Sequence, residues 1–547
     1  MRGRFRMRTI VETLKSLVIY ITCLSLLPLN SFADTNAGMV VDSSAQGNNV
    51  VLDKAANGVP LLNINNPNSA GVSHNQFIDF NVDQKGVVIN NSTHQGTSII
   101  GGAVLANPNL KQSADIIINE VTSTNPSLIE GPTEIFGKRA DYILANPNGI
   151  SVNGGEFIGT KGLTITTGVP ITNSLGELEK IVVESGSVSF FGKDLNYKNM
   201  DYFDVVTKAA KLNAKIHANS EARIVTGTNS YNYKTKSATP ITSRNGANKT
   251  SGFAIDTGNL GGLYAGRISM VSTEDGVGVN VGDIASMSGD IEITANGDII
   301  HKDIRSSGAL NVTSKNGDIY LTSGGKSNEV SAQKEIRYNA FGKISNNGLK
   351  VVSDSISGII FNAGSIRNNG IISARFGGMK FSTSGDIENN GVILALHSIT
   401  ANSNGVFTNA HNGLVNSKKG DINLRVKSYL ENIGVIKSED NNINVSAGDI
   451  YNRGLLGSYS LVKLHSSGVI INQNPLVGTS NSLIKGQSVD IHADGDILNN
   501  SKIISNQNLN ITSNATIKST GDIIAVDDIS FLAEGKITNT GIINSTR

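Results

Sequence analysis

Residues 140–154 read Ala-Asp-Tyr-Ile-Leu-Ala-Asn-Pro-Asn-Gly-Ile-Ser-Val-Asn-Gly, and residues 160–168 continue with Thr-Lys-Gly-Leu-Thr-Ile-Thr-Thr-Gly. Proline lacks an N–H and cannot donate to the next ladder position, while asparagine bonds its own backbone and tolerates turn conformations. After this turn, residues 150–152 resume the apolar–polar alternation of a half-buried strand. The stretch therefore predicts a strand, a tight corner and a second strand.

A shorter copy of the same pattern lies upstream, where residues 105–110 read Leu-Ala-Asn-Pro-Asn-Leu. In both copies an apolar run leads into Asn-Pro-Asn, so we predict a strand–turn–strand corner at each. The candidate site residues in the two copies are Asn107, Pro108, Asn109, Leu110, Asn146, Pro147, Asn148, Gly149 and Ile150.

The C-terminal half of the chain repeats itself. The pattern Gly-x-Ile-x-Asn-Asn-Gly begins at Gly342, Gly364 and Gly385, and a fixed period of about 21 residues indicates a solenoid. In a β-helical coil the isoleucine would point inward and stack on the isoleucine one coil below. Glycine and asparagine would take the corners, where repeated asparagines can form hydrogen-bonded ladders.

Composition agrees with a β-solenoid. The 547 residues include 59 glycines, only 17% are charged and 5% are aromatic, and β-branched residues with glycine and asparagine favour short strands and tight turns. We predict an all-β fold, a right-handed parallel β-helix with an N-terminal cap, continuous from near Asp34 to Arg547. It would have roughly 25 coils and be on the order of 120 Å long at ~4.8 Å per coil. A β-sandwich or propeller is the alternative, but neither explains the repeat period.

The N-terminus is typical of a secretory signal peptide. A basic segment precedes an apolar run at residues 17–29, and Ser31-Phe32-Ala33 predicts cleavage between Ala33 and Asp34. A transmembrane anchor is the competing interpretation, but the run is shorter than the ~20 residues that a span needs. No later apolar stretch is long enough either, so the mature chain would have no membrane span. The only cysteine, Cys23, lies in this N-terminal segment, so the mature chain would also have no disulfide and no cysteine-ligated metal.

The paired Asn-Pro-Asn-Leu and Asn-Pro-Asn-Gly-Ile motifs behind a signal peptide resemble the secretion domain of two-partner secretion exoproteins. That group includes filamentous haemagglutinin-like adhesins, large cytolysins and contact-dependent growth-inhibition proteins. A second block, Leu-Gly-Gly-Leu-Tyr-Ala-Gly-Arg-Ile at residues 260–268, is similar to one that the haemagglutinin and growth-inhibition branch carries just after its secretion domain. The resemblance therefore favours that branch.

This resemblance implies several features of the chain. It implies a domain order of signal peptide (1–33), secretion domain with its continuation (34–265) and β-helical shaft (266–547). It implies export through the periplasm to the cell surface by an outer-membrane β-barrel transporter that recognises the secretion domain. It also favours strands over a helix in residues 201–217, because residues 210–216 look like a strand motif of the family.

Three further segments carry local predictions. Phe77 and Phe80, in a strand at residues 72–80 that is similar to an aromatic-rich strand of the family, should lie in the core or in an end cap. The apolar run at residues 115–121 is of the kind that is buried on both faces of a parallel sheet. Residues 228–249 are polar and predict a loop excursion.

The function predicted from the resemblance is that of a secreted adhesin that binds a host or neighbouring cell. The alternatives are the stalk of a growth-inhibition system lacking its toxin, since the sequence ends in solenoid pattern as a truncated relative would, and a haem-acquisition exoprotein. No enzymatic activity, cofactor or metal is predicted, because Asp290, Asp298 and Asp318 sit beside corner glycines and the eight histidines are scattered. A net charge of +1 argues against nucleic-acid binding.

The motif asparagines could be contacts for the transporter or corner residues of the first coils. Substitution of Asn146 or Asn148 should abolish secretion in either case. Circular dichroism of the purified variant discriminates between them, since a normal β spectrum with failed secretion favours direct recognition.

Overall fold

A computed structural model describes residues 38–242, 250, 252–258, 261–475 and 482–546. The predicted signal peptide and the Ala33–Asp34 cleavage site lie outside these residues. Met39–Arg547 forms one compact unit. Its described residues contain 63 strands and no helix, and hence no helix that could cross a membrane.

The strands wind into a parallel β-solenoid of about 20 turns. Each regular coil has three strands, and each strand pairs with its counterparts in the coils before and after it. We call the three resulting walls the first, second and third faces. The prediction of an all-β, parallel β-helix is confirmed.

The first face contains the longest unbroken stack. Its strands are Val72–Phe80, Ile116–Val121, Ala140–Ala145, Thr160–Thr166, Tyr202–Thr207, Glu221–Thr226, Arg267–Ser272, Ile291–Ala295, Leu310–Ser314, Ile336–Ala340, Ile359–Ala363, Met379–Thr383, Ile399–Ser403, Ile422–Asn432, Ile443–Asn452, Leu461–Ser466, Ser488–Ala493, Leu509–Ser513 and Ile529–Ala533. Two of them, Ile422–Asn432 and Ile443–Asn452, continue into the second face.

The other two faces are built in the same way. The remaining second-face strands are Ser127–Ile129, Ile150–Asn153, Ser187–Phe191, Ala209–Leu212, Phe253–Asp256, Gly278–Val281, Ile299–His301, Ile319–Thr322, Lys343–Asn347, Ser365–Asn368, Ile387–Asn389, Phe407–Asn409, Ile470–Asn472, Ile497–Asn499, Ile517–Ser519 and Ile537–Asn539. The third-face strands are Leu195–Tyr197, Lys215–Ala218, Gly262–Ala265, Asp283–Ser286, Ile304–Ser306, Glu329–Ala332, Lys350–Ser353, Ile371–Ala374, Val392–Ala395, Leu414–Ser417, Val435–Ser438, Leu455–Ser458, Leu483–Gly486, Lys502–Ser505, Ile523–Ala525 and Ile543–Ser545.

The other strands lie in the N-terminal half. A five-stranded sheet contains Val51–Lys54, Pro60–Asn63, Val87–Asn91, Thr133–Gly137 and Phe157–Ile158. A four-stranded antiparallel sheet, which we call the side sheet, contains Val169–Thr172, Leu178–Val183, Asn229–Asn232 and Ser237–Pro240. Gly96–Ser98 pairs with Gly102–Val104 in a hairpin, and Met39–Val41 pairs antiparallel with Val72–Phe80.

The repeat motif behaves as its pattern predicts. Ile344, Ile366 and Ile387 are buried and lie in register on successive second-face strands. Alternate residues of each strand point inward, so stacked isoleucines fill the interior and remove apolar surface from water.

The asparagine two residues after each of these isoleucines is also buried, and its side-chain amide donates to the next coil. The distances between Nδ2 and Oδ1 in adjacent coils are 2.7–2.9 Å. The ladder comprises Asn346, Asn368, Asn389, Asn409, Asn432, Asn452, Asn472 and Asn499, and it ends on Ser519. It satisfies buried polar groups that would otherwise cost ~1–3 kcal/mol each.

The aspartates beside the corner glycines are also used structurally. Asp298 Oδ1 accepts the backbone N–H of Asp318 at 2.8 Å, and Asp318 Oδ1 accepts that of Lys343 at 2.7 Å. Asp290 Oδ1 accepts the N–H of Ala309 at 2.8 Å. Each carboxylate thus fastens one coil to the next.

The N-terminal end of the stack is capped. Phe77 and Phe80 are buried with ring centroids 5.0 Å apart, on the strand that Met39–Val41 covers. This confirms their predicted core or cap position. The prediction that parallel coils begin near Asp34 is wrong, because Met39–Val41 and Val51–Lys54 pair antiparallel. Parallel pairing begins at Pro60–Asn63, and the stack of the first face begins at Val72. An antiparallel strand on that edge blocks further parallel pairing.

The predicted number of coils is also too high. With about 20 turns, the stack is on the order of 95 Å long at ~4.8 Å per coil. The difference arises because the side sheet and the N-terminal hairpins take up chain without adding coils.

The local predictions have mixed outcomes. Residues 201–217 form strands, as predicted. In the apolar run at residues 115–121, Ile118 is buried against Leu178 and Tyr233, which belong to the side-sheet segments. The described part of residues 228–249 does leave the solenoid, but as the hairpin Asn229–Asn232 with Ser237–Pro240 rather than as a loop.

Candidate functional site

The first Asn-Pro-Asn segment forms a compact turn held by Asn107. The Asn107 side chain is 2% exposed, and its Nδ2 donates to the carbonyls of Ile64 and Asn90 at 3.1 and 2.9 Å. Its Oδ1 accepts the N–H of Asn109 at 2.9 Å, which is an Asx turn. The turn closes with the N–H of Leu110 donating to the Asn107 carbonyl at 3.2 Å.

The second segment repeats this arrangement. Asn146 is fully buried, and its Nδ2 donates to the Asn125 carbonyl and to Ser127 Oγ, both at 2.9 Å. Its Oδ1 accepts the N–H of Asn148 at 3.0 Å, and the N–H of Gly149 donates to the Asn146 carbonyl at 3.1 Å.

The third residue of each motif reaches back to an earlier coil. Asn109 Nδ2 donates to the Asn49 carbonyl at 2.9 Å, and Asn148 Nδ2 donates to the Ser123 carbonyl at 2.7 Å. Pro108 and Asn148 are exposed, while Pro147 and Leu110 are half-buried. The two motifs therefore form the same hydrogen-bonded turn. In each turn the leading asparagine is buried, and part of the Pro-Asn segment after it faces solvent.

Only the second motif is a strand–turn–strand corner. It joins Ala140–Ala145 on the first face to Ile150–Asn153 on the second, where Ile150 is buried against Val188. Gly149 has φ +117°, and a Cβ there would lie 3.2 Å from the Ser187 carbonyl oxygen, so glycine is required.

The prediction of a corner at the first motif is wrong. Leu105 and Ala106 lie outside any strand and are exposed, and the next strand begins only at Ile116. Leu105 and Ala106 face solvent instead of the core, because they follow a hairpin that is not part of the three faces of the solenoid, although Val104 just before them is buried.

The exposed side of the first motif adjoins a groove. Its walls include Lys54, Leu61, Thr97 and Pro108, and Leu105 beside them has 75% of its surface exposed. Val51–Lys54, the edge strand of the five-stranded sheet, is exposed at every residue. Isolated exposed leucines are ordinary, but this one lies on a concave surface next to an unpaired strand edge.

A buried charge cluster that the sequence analysis missed attaches the side sheet to the first face. Asp204 is fully buried, and its Oδ1 accepts from Arg223 Nη1 at 2.7 Å. Its Oδ2 accepts from Tyr231 Oη at 2.9 Å and from Lys236 Nζ at 3.0 Å. Asp204 and Arg223 belong to neighbouring coils, whereas Tyr231 and Lys236 belong to the side-sheet hairpin.

The cluster extends through two tyrosines to a third coil. Tyr202 Oη and Tyr233 Oη are 2.9 Å apart, and Tyr233 donates to Asp141 Oδ2 at 2.8 Å. Lys236 Nζ lies 3.8 Å from the centroid of the Tyr202 ring, a cation–π contact. Lys236 itself has φ 57°, an uncommon backbone conformation for a non-glycine residue. The interactions of its ammonium group with Asp204 and the ring offset that strain.

Burial holds the proton on the Tyr231 phenol of this cluster by raising its pKa. Burial raises the pKa of Tyr231, and the Asp204 carboxylate raises the pKa further. The phenol therefore stays protonated throughout the physiological pH range, as its donation to Asp204 Oδ2 requires. The cluster acts as a permanent clamp on the side sheet.

A signal for the cluster exists in the sequence. Asp204 interrupts Phe-Asp-Val-Val and Arg223 interrupts Ala-Arg-Ile-Val, so each charge sits in a strand flanked by apolar residues. A charge in such a place is paired or hydrogen-bonded. The partners Tyr231 and Lys236 could not be found in this way, because they come from an excursion without a repeat pattern.

We expect Asp204→Asn to destabilise the secretion-domain coils. Removing one partner of a buried ion pair costs ~3–5 kcal/mol, since the other charges remain buried. Thermal unfolding should shift downward, and limited proteolysis should cut first within residues 229–240. Glu179→Gln, in the exposed pair with Lys180 at 3.7 Å, is the control and should change neither measurement. Equal effects of both substitutions would show that the cluster is not a clamp.

Comparison with known proteins places these features in one matched region. Residues 37–301 match the model of the TPS secretion domain family. The 16S rRNA endonuclease CdiA of Enterobacter cloacae is 40% identical over 277 residues, which are 50% of this chain and 8% of that protein. Filamentous hemagglutinin of Bordetella pertussis is 41% identical over 260 residues, which are 46% of this chain and 7% of that protein.

A solved structure is also similar. The crystal structure of the filamentous hemagglutinin secretion domain is 34% identical, with a TM-score of 0.46, and the match covers 60% of this chain and 100% of that one. The alignments with the two curated relatives span less than a tenth of their length. Both Asn-Pro-Asn turns, the side sheet and the charge cluster all fall within residues 37–301.

Proposed function

The chain belongs to the exoproteins of two-partner secretion through residues 37–301, and from this premise we propose that it is a secreted filamentous-haemagglutinin-like adhesin. It crosses the inner membrane by the general route, is cleaved between Ala33 and Asp34, and leaves the periplasm through an outer-membrane β-barrel transporter. At the cell surface it binds a host or neighbouring cell.

The observation that carries the proposal is the secretion-domain match, which includes both motif turns and the cap. The domain implies a transporter of the two-partner type as partner. Stacking continues without interruption through residue 265, the proposed end of the secretion domain. The proposed boundary between the secretion domain (34–265) and the shaft (266–547) would therefore be one of function, with no break in the fold.

A toxin-delivery stalk is the second candidate function. Several relatives are named as nucleases or toxins of the CdiA type, but the matched segment is only about a twelfth of each. We therefore propose that the chain itself is non-enzymatic and that it presents a surface. In the described residues, no cluster of three or more His, Cys, Asp or Glu could hold a metal ion.

We further propose that the leading asparagine of each motif, Asn107 or Asn146, builds the recognition surface without contacting the transporter. Asn107 and Asn146 are buried and saturated with hydrogen bonds. The transporter would instead contact the exposed side of the first motif, around Leu105 and Pro108. A buried amide can set the shape of such a surface but offers no atoms to a partner.

The substitution Leu105→Glu tests this placement. Because Leu105 is exposed and outside any strand, the variant should fold normally but lose most of its secretion. The measurement is the secreted fraction from cells with and without the transporter gene, together with the circular dichroism of the purified variant.

Ile356→Glu is the matched control, since Ile356 is 84% exposed on the shaft, and it should be secreted like the wild type. Secretion of Leu105→Glu at the wild-type level would contradict the proposed contact. Wild-type secretion without the transporter, or a secreted protein that retains Arg2, would contradict the export route itself.

A further inference from the structure

A groove of about 710 Å³ runs along the corner after the first face, across the coils that contain Leu310–Ser314, Ile336–Ala340, Ile359–Ala363, Met379–Thr383 and Ile399–Ser403. Phe341 stands at this corner with 77% of its surface exposed. Phe341 is not the only large apolar side chain exposed on the shaft, but it lies at a concave site next to polar side chains of several coils.

Small residues keep the groove open beside Phe341. The floor is formed by Ala340, Ala363 and Gly364. A Cβ on Gly364 would lie 2.8 Å from the Gly342 carbonyl oxygen and 2.9 Å from that of Phe341, so no side chain fits there. Gly364 therefore adds no side chain to the groove next to the exposed Phe341.

A column of polar side chains runs parallel to the rod axis beside this ring. It contains the outward-facing residues Thr313, Asn339, Asn362, Ser382 and Asn402, which lie in register on successive strands. At its lower end Asn362 Nδ2 donates to Asn339 Oδ1 at 2.9 Å. At its upper end, the side chains of Ser382 and Asn402 make no hydrogen bond to the described residues and point into the groove.

We propose that this corner binds an uncharged, extended β-linked hexose chain that lies along the rod axis. A hexose ring has an apolar C–H face that can stack on an aromatic ring, and hydroxyl groups that pair with amides, each of which offers both a donor and an acceptor. Successive rings of such an extended chain advance by a distance close to the ~4.8 Å between coils. One amide or hydroxyl of the column is therefore available per sugar.

Other ligand classes fit this groove less well. Lys315 is the only charged residue among its lining residues, which is too little for a polyanion such as nucleic acid. An added peptide strand needs a free sheet edge, but every strand beneath the groove is paired on both sides. This proposal rests on the proposed adhesive function, because the sugar chain would be the ligand through which the adhesin holds another cell.

The test uses the secreted chain and calorimetric titration with cellohexaose, chitohexaose and isomaltohexaose. We expect at least one of the two β-linked hexaoses to bind and the α1,6-linked isomaltohexaose to bind much more weakly. Phe341→Ala should lower the affinity by about tenfold, as loss of an aromatic contact worth ~1.4 kcal/mol would. Asn402→Ala should lower it by a smaller factor.

Phe376→Ala is the matched control, because Phe376 is another exposed phenylalanine of the shaft, at 54% exposure, and is not among the residues that line the groove. It should bind like the wild type. Binding of neither β-linked hexaose, equal binding of isomaltohexaose, or equal loss in Phe341→Ala and Phe376→Ala would overturn the proposal. Since every variant is first recovered from the medium, such a result would leave the secretion proposal intact.

Discussion

Replacing Asn146 with alanine is expected to abolish secretion and to unfold the first coils. The side chain is fully buried, donates to Asn125 and Ser127, and accepts from the backbone of Asn148. Alanine leaves a carbonyl, a hydroxyl and an N–H without their partner, at ~1–3 kcal/mol each. These coils precede all later ones, so their loss removes the template on which the shaft stacks.

The measurement is the secreted fraction, followed by circular dichroism of the protein purified from the cells. Asn148→Ala is the matched control. The Asn148 side chain is exposed, and outside the motif it donates one hydrogen bond, to the Ser123 carbonyl. In contrast to the expectation from sequence that either substitution abolishes secretion, the exposed position of Asn148 means that Asn148→Ala should retain more secretion than Asn146→Ala and a near-native spectrum. A native β spectrum for an unsecreted Asn146→Ala would contradict the structural role and favour direct recognition of the amide.

Replacing Ile344, Ile366 and Ile387 together with aspartate is expected to stall export midway. All three side chains are buried in register on consecutive coils, and each carboxylate would be an unpaired ion in an apolar interior. The penalty is several kcal/mol per ion, which opposes stacking at three consecutive coils. If stacking outside the cell pulls the chain through the barrel, the coils before Ile344 emerge and the C-terminus stays in the periplasm.

Protease added to intact cells measures this directly, by cutting the N-terminal coils while sparing the C-terminal ones. The control carries aspartate at three outward positions of the same strands, Lys343→Asp, Arg367→Asp and Glu388→Asp, whose side chains are exposed or half-buried. It should be exported completely. Complete release of the isoleucine variant at the wild-type rate would show that folding does not drive translocation.

The shaft could be predicted from sequence because its information is local and repeated. Ile366 occupies the same place in the Gly-x-Ile-x-Asn-Asn-Gly pattern as Ile344 and Ile387, and it pairs in register with both of them. A single β-helical interpretation therefore explains all three. The buried asparagine two residues later follows from the same period, and so does the ladder.

The features that sequence reasoning missed depend on contacts between distant and unrepeated segments. The side sheet pairs Leu178–Val183 with Asn229–Asn232, two excursions that have no common pattern. The clamp at Asp204 needs Lys236, whose role depends on a backbone conformation that no motif indicates. Exposure of Leu105 was missed because the same Leu-Ala-Asn-Pro-Asn letters at residue 144 form a strand and a corner inside the solenoid.

The serial arrangement of coils has a mechanical consequence. The amide ladder and the backbone hydrogen bonds between coils lie along the rod axis. Because each coil contacts only its neighbours, a pull on the C-terminal end would open the interfaces between coils one after another. Peeling a coil of about 21 residues would release on the order of 70 Å of extended chain and leave the next coil intact. A cell tethered through this shaft would be held by a fibre that lengthens in steps under sudden strain and shortens again as the coils rewind.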